Sequence, residues 1–455
     1  MTLLKYQENS LCKRGISGSQ LTARESLVPL SLVVSLFFLW GFAYGMLDTL
    51  NAHFQTVFGI SSTQSTGLQV AYFGAYFINP PTFASFVVRR YGYRYTFIAG
   101  LLILGVGSFM FWPCAKFESF GGFCGAMFIV GVGLSTLETA ADPYTTMCGP
   151  TDKTELRINL AQSFQGAGTF VSPLIASHTF FNGANAYSLT NVQWVYLAVG
   201  SFVFILSIVF YVADIPEITD EDMHQLTEEA NGVYNDKERF LKQWPLFWAI
   251  FAQFCYVGAQ VSLASFFINY AHFNAGIAKT TASNLLSVAQ AIYCGVRFIA
   301  SFMLHLGCKP QYMYSAFISG CILFAALAAG LHGKAGLACY IIVFAFESCC
   351  FAMIFGMGMR GLGRHSKRGG AGLVMGISGG MCWPSLTGVV ADNVSYRVSA
   401  VIPMCGYILA STYAVYVVIA YRKLDNKVVV SSSGESDLDD KEVVETIEEL
   451  HVAKA

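Results

Sequence analysis

Long apolar runs recur along the whole chain, separated mostly by short polar segments. One helical crossing of a lipid bilayer needs about 20 consecutive, mostly apolar residues. The chain holds twelve such runs, with centres near Leu39, Phe77, Leu104, Val132, Gly168, Val203, Val257, Ala291, Leu323, Phe346, Gly380 and Ala410. The pattern predicts an all-α membrane protein with twelve transmembrane helices.

The longest connection lies between the sixth and seventh runs and divides the chain into halves. It is strongly acidic, and we place this linker at residues 214–242. We predict an N-terminal cytoplasmic segment over 1–27, a first six-helix bundle over 28–213, a second bundle over 243–421 and an acidic, disordered tail over 422–455. The N-terminal segment has no signal-peptide core, so we expect the first span to be retained.

The two halves share weak internal similarity. The fourth and tenth spans each carry an acid, Glu138 and Glu347, and the fifth and eleventh each carry a glycine cluster followed by proline, in GAGTFVSP and GISGGMCWP. Two related six-span bundles are the architecture of major facilitator carriers, in which the substrate binds at the midplane between the repeats. We therefore predict two pseudo-symmetric six-helix bundles.

Composition excludes several classes of protein. The chain is 55% hydrophobic and only 12% charged, whereas soluble domains carry about 25% charged residues. A formal net charge of −1 argues against a nucleic-acid partner. The 13 cysteines have no paired spacing, so neither a disulfide framework nor a metal site is expected, and no cofactor motif stands out.

Lysine and arginine positions predict the orientation in the membrane. With the N-terminus in the cytoplasm, most of the 27 basic residues fall in cytoplasmic segments; the exceptions in outer loops are Lys116, Lys279, Lys334 and Arg397. We predict cytoplasmic termini and favour the plasma membrane. The sequence leaves an internal membrane open.

Two carboxylates interrupt the apolar sequence GLSTLETAADPYTTM. Glu138 and Asp142 lie one helical turn apart, and an acid at the centre of a membrane helix costs roughly 2.5–3.5 kcal/mol on the insertion scale. Acids there normally face a bundle interior or a wet cavity, and two so close are expected to share one proton at neutral pH. We predict Glu138 and Asp142 as proton-coupling residues, joined by Asp48 if the first span packs beside the fourth.

Other polar residues form stripes at the helical period of 3.6 residues. Such stripes either line a substrate path or bind neighbouring helices together, and the sequence leaves both options open for amides and hydroxyls. The candidate substrate-binding residues are Trp40, Tyr44, Asn51, Asn159, Gln162, Gln165, Gln253, Tyr256, Gln260 and Asn284.

One basic residue, Arg297, lies inside the eighth span and requires a partner. Glu347 on the tenth span is the candidate, which predicts an intramembrane ion pair. The sequence GMGMRG matches the glycine pattern of dinucleotide sites, but it lies at the end of a membrane helix with no preceding strand, so nucleotide binding is not expected.

The segments FLWGFAYGMLDTLNAHF, GLSTLETAADPY, LRINLAQSFQGAG and AQFCYVGAQVSLASFFINYA resemble the L-fucose–proton symporter family of the major facilitator superfamily, with its glucose/galactose-transporting relatives. The likeness covers nearly all twelve spans. It implies a sugar carrier that alternates access by rocking two bundles. It also implies protonation cycles at Asp48 and Glu138, and sugar ligands at Asn159 and Gln162.

The chain departs from the family pattern at several positions near the implied sugar site: Tyr44, Asp142, Gln165 and Phe351. The resemblance therefore implies a retained proton site and a changed sugar pocket. L-fucose and another hexose both remain open as the substrate.

The sequence thus predicts a secondary active transporter, not an enzyme, that imports a monosaccharide with a proton. A facilitative uniporter is one alternative, and a sugar sensor with a carrier fold but no net transport is another. The expected partners are a small-molecule sugar, protons and the lipid bilayer, and we expect the chain to act as a monomer.

Overall fold

The computed structural model describes residues 21, 25–60, 64, 66–149, 153–180, 189–213, 215–218 and 239–432. For a few helical residues, among them Asp48 and Asn51, the structure describes the backbone but not the side chain. Every element of regular structure in the described residues is a helix, and none is a β-strand.

The first half of the described chain contributes six helices: α1 Leu27–Phe58, α2 Gly67–Ile78, α3 Ser85–Lys116, α4 Phe120–Met147, α5 Thr154–Phe180 and α6 Thr190–Val212. The second half contributes eight: α7 Trp244–Ala275, α8 Lys279–His305, α9 Pro310–Gly330, α10 Gly333–Glu347, α11 Cys350–Met359, α12 Ser366–Met375, α13 Gly379–Asn393 and α14 Val401–Ser432.

These helices amount to twelve membrane crossings. By length and composition, ten helical segments of the described chain are able to span a bilayer, and one of them covers 50 residues, 67–116. At 1.5 Å per residue that segment is about 75 Å long, against a hydrocarbon core of about 30 Å. Gly92 breaks it with a left-handed φ of 86°, so it crosses twice, and α5 adds a crossing of 27 residues. The predicted all-α fold with twelve spans is confirmed.

Two spans of the second half are interrupted in mid-membrane. The tenth span consists of α10 and α11, separated at Ser348 and Cys349, and the eleventh consists of α12 and α13 around a 3₁₀ turn at Gly376–Ser378. Backbone groups freed in a membrane must find other partners. At the first break, the Tyr256 hydroxyl donates to the Glu347 carbonyl at 2.6 Å and the Arg297 guanidinium to the Ser348 carbonyl at 2.6 Å.

Glycines bring the first and fifth spans of each half into close contact. A Cβ on Gly41 of α1 would lie 1.8 Å from the Gln165 carbonyl oxygen of α5. In the second half, a Cβ on Gly379, at the start of α13, would lie 1.9 Å from the Phe254 carbonyl oxygen of α7. Small residues permit such backbone approach, which supplies the packing between membrane helices.

At the membrane face where α1 begins and α14 ends, here called the terminal face, the two halves are joined by ion pairs. Glu155 at the start of α5 binds Arg360, just after α11, at 2.6 Å. Glu217, after α6, accepts hydrogen bonds from the Tyr93 backbone N–H and lies 3.7 Å from Lys367 of α12. These contacts tie α5 and the α6 end to the second half.

The last helix is longer than expected. We predicted a disordered tail from residue 422, whereas α14 continues to Ser432. The segment RKLDNKVVV contains neither proline nor glycine, so nothing in it ends a helix locally. The rest of the predicted tail, residues 433–455, lies outside the described residues, as do 1–20 and most of the predicted linker.

Candidate functional site in the central cavity

A cavity lies between the two halves. Seven of the predicted proton-coupling, sugar-binding and ion-pair residues line it: Trp40, Tyr44, Glu138, Gln165, Gln260, Arg297 and Glu347. The two acids among them come from different halves, Glu138 from the first and Glu347 from the second.

The wall from the first half is built around Glu138, on α4. Glu138 is 4% exposed and lies beside the hydroxyl of Tyr76, on α2. That hydroxyl also accepts from the Trp40 indole N–H at 3.1 Å and shares a hydrogen bond with Tyr72 at 3.3 Å. Glu138 Oε2 has no hydrogen-bond partner within the described part of the chain. An aromatic and hydroxyl cluster therefore holds a carboxyl at the cavity wall.

Asp142 lies one turn further along α4 but is not a lining residue. It is fully buried, beside Gln162 and within electrostatic range of Arg297. Neither of its carboxylate oxygens has a hydrogen-bond partner among the described residues. The helical spacing did bring Asp142 next to Glu138, as the sequence predicted.

Arg297, on α8, is the buried cation of this cavity and lies against the first half. Its guanidinium donates to both the backbone and the side-chain oxygen of Gln162, and to Gln165 Oε1 at 3.1 Å. It also donates to the Tyr293 hydroxyl and stacks over that ring, with 4.4 Å from Cζ to the centroid. The guanidinium thus donates its hydrogen bonds to uncharged oxygens on several sides.

The predicted ion pair between Arg297 and Glu347 is wrong for this state. Among the ion pairs of the described residues, none within 4.0 Å joins these two side chains. Glu347 Oε2 instead accepts a hydrogen bond from the Tyr407 hydroxyl, on α14, at 2.5 Å. The break between α10 and α11 explains the difference, because it presents the Ser348 carbonyl to Arg297.

The other predicted site residues divide into three groups. Four are buried away from the cavity lining: Asn159, Gln162, Gln253 and Tyr256. Asn284 is exposed and also lies outside the lining. The side chains of Asp48 and Asn51, on α1, lie outside the described part of the structure.

Asn159 shows why a polar stripe was ambiguous. Its amide donates to the Arg297 carbonyl at 2.9 Å and to Ser301 Oγ at 2.8 Å. It therefore binds α5 to α8 in this state and does not reach the cavity. Gln260, in contrast, lines the cavity and donates to the Tyr293 hydroxyl at 2.7 Å.

Sequence reasoning missed polar lining residues on two helices. On α2 these are Tyr72 and Tyr76, and on α8 they are Gln290 and Tyr293. Both sets follow the helical period, since Tyr72 and Tyr76 are four apart and Gln290, Tyr293 and Arg297 follow a 3-4 spacing. The same stripe criterion would have found them.

Comparisons with known proteins agree on one family. The family model described as Major Facilitator Superfamily matches residues 32–401. The L-fucose-proton symporter of Haemophilus influenzae is 28% identical over 430 residues, covering 87% of this chain and 98% of the relative. The Glucose/galactose transporter of Brucella abortus is 28% identical over 391 residues, covering 84% and 92%.

A solved structure is also similar along most of its length. The crystal structure of the transporter FucP in the outward conformation superposes with a TM-score of 0.72 at 26% identity, covering 86% of this chain and 99% of that one.

Proposed function

The chain belongs to the major facilitator superfamily, and on that premise we propose that it is a secondary active transporter that imports a monosaccharide in symport with a proton. It is a multi-pass helical membrane transporter. The names of its relatives, L-fucose-proton symporter and Glucose/galactose transporter, support L-fucose or another hexose as the cargo.

The observation that carries the proposal is the position of Glu138. A buried carboxyl at a cavity wall, beside the Tyr76 hydroxyl and one turn from Asp142, is a group that gains and loses a proton as its surroundings change. We propose that Glu138 and Asp142, together with Asp48, carry the coupled proton.

The cavity also offers sugar-binding chemistry. The indole of Trp40 supplies an apolar ring face, and Gln165 and Gln260 supply amides that bind hydroxyl groups. In our proposal these three residues contact the sugar, while Arg297 orients Gln165 and Tyr293. Asn159, Gln162 and Tyr256 hold the surrounding helices in this state.

The proton supplies the energy for accumulation. One proton moving through about 100 mV and one pH unit releases about 2.3 plus 1.4 kcal/mol, which allows roughly 500-fold sugar accumulation for each coupled proton. We further propose that the transporter acts as a monomer in the plasma membrane, with both termini in the cytoplasm, as the distribution of basic residues favours.

Uptake by proteoliposomes tests the function. The purified chain is reconstituted and offered a panel of labelled hexoses and deoxyhexoses, with and without an inward proton gradient. We expect one sugar to accumulate above its external concentration only when the gradient is present. Equilibration without accumulation would identify a uniporter, and saturable binding without flux a sensor.

A further inference from the structure

The second half places its own carboxyl at the cavity. Glu347 ends α10 at the mid-membrane break, lines the cavity and has 0% of its surface exposed. Glu138 and Glu347 belong to the fourth span of their respective halves. Each lies near a tyrosine of the second span of its own half, Tyr76 for Glu138 and Tyr293 for Glu347. The two acids are therefore counterparts in the pseudo-symmetric bundles.

The hydrogen bonds of Glu347 fit a carboxyl that carries a proton. The Tyr407 hydroxyl donates to Oε2, whereas Oε1 is buried and has no hydrogen-bond partner among the described residues. Arg297 is not paired with it in this part of the chain. An ionised carboxylate with one donor and no paired cation would be strongly disfavoured in such a site. A proton on Oε1 removes the charge and leaves the smaller cost of one O–H group without an acceptor.

The titratable neighbours of Glu347 come from every helix packed against it. Tyr256 of α7, Tyr293 and Arg297 of α8, and Cys321 of α9 lie within electrostatic range. Tyr340 of α10, Cys350 of α11 and Tyr407 of α14 complete the set. Arg297 is the one cation in this set. Release of a proton from Glu347 therefore requires a rearrangement that brings Arg297 or water to the carboxylate.

We propose that Glu347 is a second proton-carrying residue of the transport cycle, in addition to the Glu138 group, and that two protons accompany each sugar. This inference rests on the proposed function. In the state described here, Oε1 of Glu347 holds the proton and Tyr407 positions the carboxyl. When the halves move, the O–H bond breaks, the proton passes to water in the cavity, and the carboxylate remains with Arg297 as its counter-charge.

The number of protons per sugar is measurable as a reversal potential. Proteoliposomes with a tenfold sugar gradient and no pH difference are clamped at a series of membrane potentials until net sugar flux stops. A tenfold gradient balances about 59 mV with one proton and about 30 mV with two. We expect about 30 mV for the unmodified protein and about 59 mV for Glu347→Gln.

Two further variants complete the experiment. Glu118→Gln makes the same chemical change at an exposed loop position, and it should keep about 30 mV. Tyr407→Phe retains the carboxyl but removes its hydroxyl donor; it should also keep about 30 mV while shifting the pH of half-maximal uptake. If Glu347→Gln does not insert into the membrane, the test rests on two measurements: the reversal potential of the unmodified protein and the pH of half-maximal uptake by Tyr407→Phe.

A value near 59 mV for the unmodified protein, or the same value with and without Glu347, would overturn the inference and leave proton-coupled transport standing. Sugar flux with no dependence on membrane potential or pH gradient would overturn the proposed function itself.

Discussion

The Glu155 carboxylate lies 2.6 Å from the Arg360 guanidinium, and this ion pair joins the first half of the molecule to the second at the terminal face. Glu155 has 4% of its side chain exposed, and Arg360 has 35%. The guanidinium also stacks over the ring of Tyr421, on α14, at 5.8 Å. The contact therefore holds α5, the α11 end and α14 together.

Glu155→Gln is expected to loosen the terminal face. Because Arg360 is partly exposed and screened by water, the ion pair should contribute only about 1 kcal/mol. Its loss should raise the fraction of molecules in which the terminal face is open about fivefold. Hydrogen exchange of peptides covering α11 and α12 measures this fraction. The exchanged pair Glu155→Arg with Arg360→Glu should restore the original rate. Equal exchange in all three proteins would show that the ion pair does not hold this face closed.

Glu138→Gln is expected to lower sugar accumulation to the level that one proton sustains and to spare exchange of labelled for unlabelled sugar. A glutamine resembles the protonated acid in shape and charge but cannot release a proton, so the carrier still reorients with cargo while only the proton of Glu347 couples it to the gradient. Uptake with a pH gradient and counterflow without one measure the two activities. Accumulation equal to that of the unmodified protein would remove Glu138 from the coupling mechanism.

Arg297→Lys is expected to raise the KM for sugar at least tenfold. Lysine cannot reproduce the planar fork that binds Gln162, Gln165 and Ser348 together, and hydrogen bonds to charged groups contribute about 1.5–3 kcal/mol each. Initial rates of uptake over a range of sugar concentrations give KM. The exposed Arg90→Lys serves as the matched control, and the same KM in both variants would contradict the positioning role.

Gln260 and Gln253 lie two turns apart on α7 and should respond differently. Gln260 lines the cavity, so Gln260→Ala is expected to raise the KM about tenfold, the loss of roughly one hydrogen bond. Gln253 is fully buried outside the lining, and both of its amide atoms are without hydrogen-bond partners among the described residues. Gln253→Leu should therefore leave KM unchanged and raise the thermal unfolding temperature. A higher KM in Gln253→Leu would place that residue on the sugar path.

Gly41→Ala is expected to destabilise the first half by about 1–3 kcal/mol, since the added methyl would overlap the Gln165 carbonyl oxygen. Gly125, on α4, has open space where its Cβ would lie, so Gly125→Ala should be neutral or slightly stabilising. Thermal unfolding in detergent compares the two. Equal melting temperatures would mean that α1 and α5 move apart at little cost.

The broad architecture was readable from the chain alone because a bilayer imposes a simple rule. Each crossing must be apolar and about 20 residues long, so twelve runs and an acidic connection predicted twelve helices in two halves. The pairing of Glu138 with Asp142 was equally local, because residues four apart on a helix are neighbours whatever surrounds them.

The partners of the buried polar groups were decided only by tertiary structure. Arg297 binds neutral oxygens of α5 and the carbonyl of Ser348, at the break between α10 and α11, and does not pair with Glu347. The broken tenth span presents this carbonyl, which the sequence does not reveal. Asn159 contacts α8 while Gln165, less than two turns later, reaches the cavity. Helical periodicity assigns a residue to a face of its own helix, but what that face meets depends on how the helices pack.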